Sequence, residues 1–296
     1  MQQTLLTGST GFLGQILLKN LPNNYSIITL GRTNANIIAN LATQIPLLPK
    51  TELVIHAAGK AHIVPKTPAE KQDFFDVNVT GTQNLLAALE NNLPHAFVFI
   101  SSVAVYGLNQ GLLIDENHPL NAKDAYGLSK IQAEELISNW CKKHHVICTI
   151  LRLPLLVGEN PPGNLGAMIK GIKKGYYFNI ADGLAKKSMV MATDVAQCIK
   201  TVAQIGGIFN LTDGYHPNFK QISAHISAQL NKKPSANIPN WVAVFLAKLG
   251  DLLGNKSPLN SYKLSKIKAP LTFDDSKARK TFGWQPVQVL ESFKID

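Results

Sequence analysis

The sequence predicts an α/β protein: a doubly wound parallel sheet with a smaller, partly interleaved C-terminal α/β lobe. Three observations carry that expectation. Short apolar runs alternate with helix-periodic segments through the first half of the chain. Gly8, Gly11 and Gly14 fall between the first apolar run and the first helix. Past Leu156 the alternation breaks at Gly158-Glu159-Asn160-Pro161-Pro162-Gly163-Asn164, a loop by composition.

Taken in order, Leu5-Leu6-Thr7 reads as the first strand, Phe12 to Asn20 as the first helix and Tyr25 to Leu30 as the second strand. Leu53 to Ala58 and Phe97 to Ile100 are further strands. Between them a helix from about Phe74 to Asn91 carries Val79, Leu85, Leu86 and Leu89. A helix over Ile131 to Lys143 and a strand over Val146 to Leu151 follow. Buried apolar strands separated by helices suit a parallel sheet covered on both faces. Residues 1–157 therefore form the first domain, and 158–296 a second lobe, some segments of which return to the sheet.

Apolar residues make up 45% of the 296, enough to bury a core and to exclude a disordered chain. Cys141, Cys148 and Cys198 make no close metal-ligand pair and no framework of staples, which suits a reduced, cytoplasmic protein. The strand-like Gln3-Thr4-Leu5-Leu6 follows no basic leader, so no signal peptide is expected. No run nears the roughly 18 apolar residues of a membrane span, and no stable membrane insertion is expected. Trp241 to Leu253, interrupted by Lys248, Gly250 and Asp251, reads as an amphipathic helix whose apolar face is expected to be buried in preference to lying on a membrane surface. The net charge of +10 is spread over scattered lysines, with no base-reading helix and no zinc-finger spacing, so nucleic acid is not an expected partner.

Chemistry enters at the glycines. Between a strand and a helix, Gly8, Gly11 and Gly14 of Thr7-Gly8-Ser9-Thr10-Gly11-Phe12-Leu13-Gly14 allow a tight turn and close approach of a pyrophosphate to the helix N-terminus. That is the Rossmann-type dinucleotide site. The second strand ends in Leu30-Gly31-Arg32-Thr33 without an acid; an arginine there accommodates the 2′-phosphate of NADP(H), whereas NAD(H) is usually held by a carboxylate.

Tyr126 and Lys130 lie four apart in Asp124-Ala125-Tyr126-Gly127-Leu128-Ser129-Lys130 and so share a helical face. An ammonium beside a phenol is expected to lower its pKa and make it an acid–base group. Ser101 and Ser102 end a strand, where their hydroxyls can meet the same sheet edge.

These residues give the chain a resemblance to the extended short-chain dehydrogenase/reductases of the NAD(P)-dependent nucleotide-sugar epimerase/dehydratase family. TGSTGFLG at 7–14, VIHAAG at 54–59, NVTGTQNLL at 78–86, SSVAVYG at 101–107, YGLSK at 126–130, LRLPLLVG at 151–158 and TDVA at 193–196 carry it along nearly the whole chain. The resemblance implies that Ser102, Tyr126 and Lys130 are catalytic, with Ser102 rather than Ser101 bonding the sugar C4 oxygen. It implies cofactor contacts from Gly8, Thr10, Gly11, Phe12, Leu13, Arg32, Ala57, Ala58, Gly59, Asn78, Tyr126, Lys130, Pro154 and Leu155. Asn40 stands where many relatives carry an adenine-binding aspartate. Asn164 resembles an asparagine that contacts the substrate diphosphate. Lys187 falls where relatives often have a phosphate-binding arginine, and lysine lacks that residue's bidentate fork. His62 lies in the loop near the expected substrate edge. His56 reads as a satisfied core histidine and Asp194 as a helix N-cap.

The Asp-Glu pair that a 4,6-dehydratase of the family carries after its catalytic hydroxyl residue is replaced by Val103 and Ala104, which disfavours dehydration. The leading reading is NADP(H)-linked reduction of a 4-keto nucleoside-diphosphate sugar in surface-polysaccharide synthesis. It leans on Arg32 and on the likeness of residues 185–199 and 273–286 to bacterial 4-keto-6-deoxy-hexosamine nucleotide reductases. The alternatives are a UDP-hexose or UDP-hexosamine 4-epimerase with tightly bound NAD and, in another class, a non-catalytic nucleotide-sensing protein. A homodimer through the helices near 74–91 and 126–143 is implied by resemblance.

Overall fold

The computed structural model describes residues 2–22, 25–61, 63–253, 257 and 259–295. The chain runs β1 (Gln2–Thr7), α1 (Phe12–Asn20), β2 (Tyr25–Gly31), β3 (Ile37–Ile38), β4 (Leu53–His56), α2 (Pro68–Phe75), α3 (Gly81–Leu89), β5 (Ala96–Ser102), β6 (Gly111–Ile114), α4 (Ala125–His144), β7 (Ile147–Leu153) and β8 (Leu155–Val157). It continues with α5 (Gly163–Lys174), β9 (Asn179–Ile180), β10 (Met189–Met191), α6 (Ala192–Ile205), β11 (Gly207–Asn210), α7 (Phe219–Gln229), β12 (Asn237–Ile238), α8 (Asn240–Asp251), α9 (Ser261–Lys268), β13 (Leu271–Phe273), α10 (Ser276–Phe282) and α11 (Val289–Ser292).

Seven parallel strands form the sheet in the order β11-β7-β5-β4-β1-β2-β3. The order reverses at β1, where β2 leaves on one side and β4 on the other. A crevice opens there at the carboxyl ends of the strands. Strand alternation fills two cores. Leu6 and Val98 face α1 and α6 with Leu17, Val195 and Ile199, whereas Leu5, Phe97 and Phe99 face α3 and α4 with Leu85, Ile137 and Trp140.

Expected boundaries move. The helix expected from Phe74 begins at Pro68, where Thr67 and Glu70 form a reciprocal capping box. Its first turns are polar, so apolar periodicity does not reveal them. From Asp76 to Thr80 the helix widens into a π turn before α3. The strand expected over Leu53 to Ala58 stops at His56, leaving Ala57, Ala58 and Gly59 as loop above the crevice.

The later chain interleaves with the earlier. β11 joins the main sheet beside β7, α6 packs on α1, and β13 pairs with β6. A separate cluster of Val157, Leu165, Met189, Ile222 and Phe293 holds α5, α7 and α11 together. Asp194 is the third residue of α6, not its cap. Met191 holds the cap position, and Asp194 Oδ2 accepts the Val287 N–H at 2.8 Å, tying the tail to the helix.

Candidate active site

The glycine turn between β1 and α1 is built for close approach. A Cβ on Gly14 would lie 2.0 Å from the Gly8 carbonyl oxygen, and one on Gly8 2.6 Å from the Ala58 nitrogen. Gly11 occupies the α1 N-cap with no side-chain cap, so the first amides of the helix stay open toward the crevice. Thr10 and Gly11 are exposed there, and Phe12 is half-buried beside buried Leu13. This cradle fits a dinucleotide pyrophosphate. Arg32 stands exposed just past Gly31 at the end of β2, and Asn40 is exposed in the loop after β3, its Oδ1 accepting from Ala42 N.

A buried relay supports the floor. Ala58 N–H donates to Thr7 Oγ1 at 3.1 Å, and Thr7 Oγ1 meets His56 Nδ1 at 2.7 Å. On the far side His56 Nε2 meets Thr82 Oγ1 at 3.0 Å, while Thr82 Oγ1 donates to the Asn78 carbonyl at 2.7 Å. Because the Thr82 proton is spent on that carbonyl, His56 donates from Nε2 and accepts at Nδ1. Burial, reinforced by the Lys130 charge, pushes the His56 pKa down to about 3, so the ring is neutral and structural, as the sequence suggests.

Ser102, Tyr126 and Lys130 meet at the carboxyl edge of the sheet. Alternation along β5 turns Ser101 toward the α4 side, where its hydroxyl donates to Glu134, leaving Ser102 for the crevice. Ser102 caps the short 3₁₀ turn Val103–Tyr106, its Oγ accepting Ala104 N–H at 3.2 Å. α4 starts at Ala125, earlier than the apolar pattern shows, because Asp124 accepts the Gly127 amide at 3.0 Å. Gly127 is required by that junction: a Cβ would sit 2.4 Å from Ala122 Cβ and 2.8 Å from the Ala104 oxygen. The Tyr126 ring rests against Phe74 with centroids 6.1 Å apart.

The electrostatics differ from the sequence expectation. Burial raises the Tyr126 pKa, and a hydrogen bond from Ser102 opposes that shift only in part. Lys130 is itself buried, donates to the Ile100 carbonyl at 2.8 Å, and lies 4.3 Å from the Phe99 ring centroid. Desolvation lowers it to about 8, with Glu134 pulling the other way. The ammonium is thus poised near neutral pH instead of already bearing on the phenol.

Asn78, buried in the π turn, locks the site together. Its Oδ1 accepts Lys60 N–H at 2.7 Å, and its Nδ2 donates to the Lys60 carbonyl and to Ser129 Oγ at 3.1 and 2.9 Å. Its amide is therefore spent on the loop and on α4, beside the crevice.

A model of the NAD dependent epimerase/dehydratase family matches residues 4–211, spanning the glycine turn, the Ser102–Tyr126–Lys130 group and β11. The chain belongs to that family. An Escherichia coli O157:H7 N-acetyl-alpha-D-glucosaminyl-diphospho-ditrans,octacis-undecaprenol 4-epimerase is 32% identical over 94% of this chain and 88% of its own length. A Vibrio cholerae UDP-glucose 4-epimerase is 28% identical over 98% of this chain and 93% of its own. In fold, the chain is similar to Thermotoga maritima UDP-glucose 4-epimerase solved with UDP-glucose, with a TM-score of 0.75, 19% identity and coverage of 98% and 95% of the two chains. Membership makes the chain an enzyme of the extended short-chain dehydrogenase/reductase type, in a family described as NAD dependent.

The remaining expected residues spread out. Pro154 and Leu155 are half-buried at the β7–β8 junction. Asn164 is exposed, second in α5. Lys187 donates from Nζ to the Ala269 and Lys266 carbonyls at 2.9 and 3.3 Å, and burial lowers its pKa. His62 lies outside the described residues. Sequence reasoning missed Ser129, whose position in YGLSK was a signal, and the buried Arg152–Glu134 pair at 2.7 Å, which had none.

Proposed function

We propose that this protein is a C4 epimerase acting on a hexose or hexosamine carried on a diphosphate, with a tightly held nicotinamide dinucleotide. The observation that carries the reading is an intact Ser102–Tyr126–Lys130 group on a chain aligned over nearly its full length with two sugar 4-epimerases. When bound, the dinucleotide supplies a hydride acceptor and donor at sugar C4. Tyr126 removes the O4 proton and later returns it, Ser102 orients O4, and Lys130 carries the balancing charge. Val103 and Ala104 offer no acid or base toward C5, which keeps the chemistry at C4. Such a role needs all three catalytic side chains, whereas a non-catalytic nucleotide sensor does not.

Arg32 favours a second reading, reduction of a 4-keto sugar nucleotide by NADPH. One experiment separates the two. The purified protein is denatured and the released nucleotide identified by chromatography; intact protein is then given UDP-glucose or UDP-N-acetylglucosamine without added cofactor. About one NAD per chain and inversion at C4 are the expected results. An empty site that consumes NADPH with a 4-keto sugar would replace the epimerase with the reductase, and Arg32→Ala would then erase the preference for NADPH. The three free thiols suit the cytoplasm, and synthesis of surface polysaccharide is the use we infer. A homodimer through the helices near 74–91 and 126–143 belongs to the same reading, with a two-chain mass by light scattering as its check.

A further inference from the structure

The helix α8 is inside out. Its inward residues are the small ones: Ala243, Ala247 and Gly250 pack toward α9, where a Cβ on Gly250 would fall 1.8 Å from the Leu259 carbonyl oxygen. Its large residues point to solvent: Trp241 is 75% exposed and Phe245 60%, with Leu246 and Leu249 alongside, and Leu252, 84% exposed, and Leu253 follow just past its end. A helix held by its own core buries its large apolar side chains. At 100° per residue the four on the helix lie within one face of about 140°, with exposed Lys248 at its margin. The sequence expectation that this apolar face is buried therefore fails. The neighbouring β9–β12 pair and α9 leave room only for small residues beneath the helix.

Charge says what covers the face. From Gly214 to Phe273 the sequence holds eight lysines and one carboxylate, Asp251, which is spent on the Ser261 amide and hydroxyl. Seven of the chain's ten net positive charges therefore belong to this segment. Lys266 and Lys268 lie in the last turn of α9, the helix that packs beneath α8. A short helix with an aromatic and leucine face and lysines about it lies in the plane of an anionic bilayer. At 12 residues it is too short to cross one. Lys187, just before β10, ties down the end of α9 through the Lys266 and Ala269 carbonyls.

We infer that α8 docks this enzyme on an anionic membrane surface, and that its sugar diphosphate is carried there on a membrane-resident lipid. The substrate half of this inference rests on the C4 reading above; the docking half does not.

The test uses the full chain and the variant Trp241→Ser/Phe245→Ser/Leu252→Ser. All three positions are exposed, so melting temperature and bound dinucleotide should be unchanged. The wild type should sediment with vesicles of phosphatidylglycerol and phosphatidylethanolamine, and bind phosphatidylcholine vesicles weakly. Its tryptophan emission should shift to the blue, and the variant should bind at least about tenfold more weakly. Failure of the wild type to sediment, or equal sedimentation of the variant, overturns the docking. So does a wild-type dimer that the same substitutions split, which would give the face to a second copy. For the substrate, turnover of a sugar diphosphate on a long lipid in those vesicles should fall about tenfold in the variant. Turnover of the same sugar diphosphate on a short soluble chain should not fall. Equal rates on the vesicle-borne substrate overturn that half. Absence of C4 inversion with either substrate defeats the C4 reading and the substrate half with it, while the sedimentation result stands independently.

Discussion

Asn78 Nδ2 donates to Ser129 Oγ at 2.9 Å, joining the π turn between α2 and α3 to the first turn of the helix that carries Tyr126 and Lys130. Ser129 in turn donates to the Tyr126 carbonyl at 2.8 Å, so the tyrosine's backbone is set by a residue 48 positions upstream in the chain. π turns of this kind are often found at functional sites, and here the turn also delivers the Asn78 carbonyl to Thr82.

Asn78→Ala strands the Lys60 amide and carbonyl and frees Ser129. A stability loss of about 1–2 kcal/mol is expected from the unpaired, half-buried groups, read as the urea midpoint. Turnover should fall with it, because the start of α4 loses its tie to the cofactor side of the crevice.

Tyr126→Phe removes the proton carrier and keeps the ring against Phe74. Turnover should drop by about 10³-fold, in the range of general acid–base catalysis, while dinucleotide remains bound. Steady-state rates and the nucleotide content of the purified variant check both halves.

Lys130 gives a signed pH dependence. Its folded pKa of about 8 lies below the unfolded value of 10.5, so below pH 8 burying the charge costs the folded state stability. That cost disappears as pH rises from about 8 to 10.5. Measured against Lys130→Met, the wild type should gain on the order of 3 kcal/mol across that window in chemical denaturation. A flat difference would mean that Lys130 is as readily protonated in the folded protein as in water.

Arg152 and Glu134 form a buried pair, at 3% and 5% side-chain exposure, to which Ser101 and Tyr106 also bond. Arg152→Met leaves the Glu134 carboxylate uncompensated and should cost about 3–5 kcal/mol. Arg152→Met combined with Glu134→Leu should recover most of that loss, because an apolar pair carries no unpaired charge. Urea denaturation of the three proteins makes the comparison.

Local chemistry was legible in the sequence where one segment suffices to specify it. The glycines between β1 and α1, the apolar run Leu5-Leu6-Thr7 that forms the first strand, and the four-residue spacing of Tyr126 and Lys130 depend only on backbone geometry and local period. Tertiary structure decided what depends on distant partners. Only the resemblance favoured Ser102 over Ser101 in the sequence; the physical reason appears when α4 brings Glu134 to Ser101. Asp194 reads as a cap until residue 287 arrives to take its carboxylate. The Tyr126–Lys130 spacing predicts a depressed phenol, yet burial, which no pattern in YGLSK encodes, raises it and lowers the lysine instead. For Trp241 to Leu253 the period identified a helix with an apolar face. Whether that face turned inward was settled by the narrow space that β9, β12 and α9 leave beneath it, a property of packing and not of the segment.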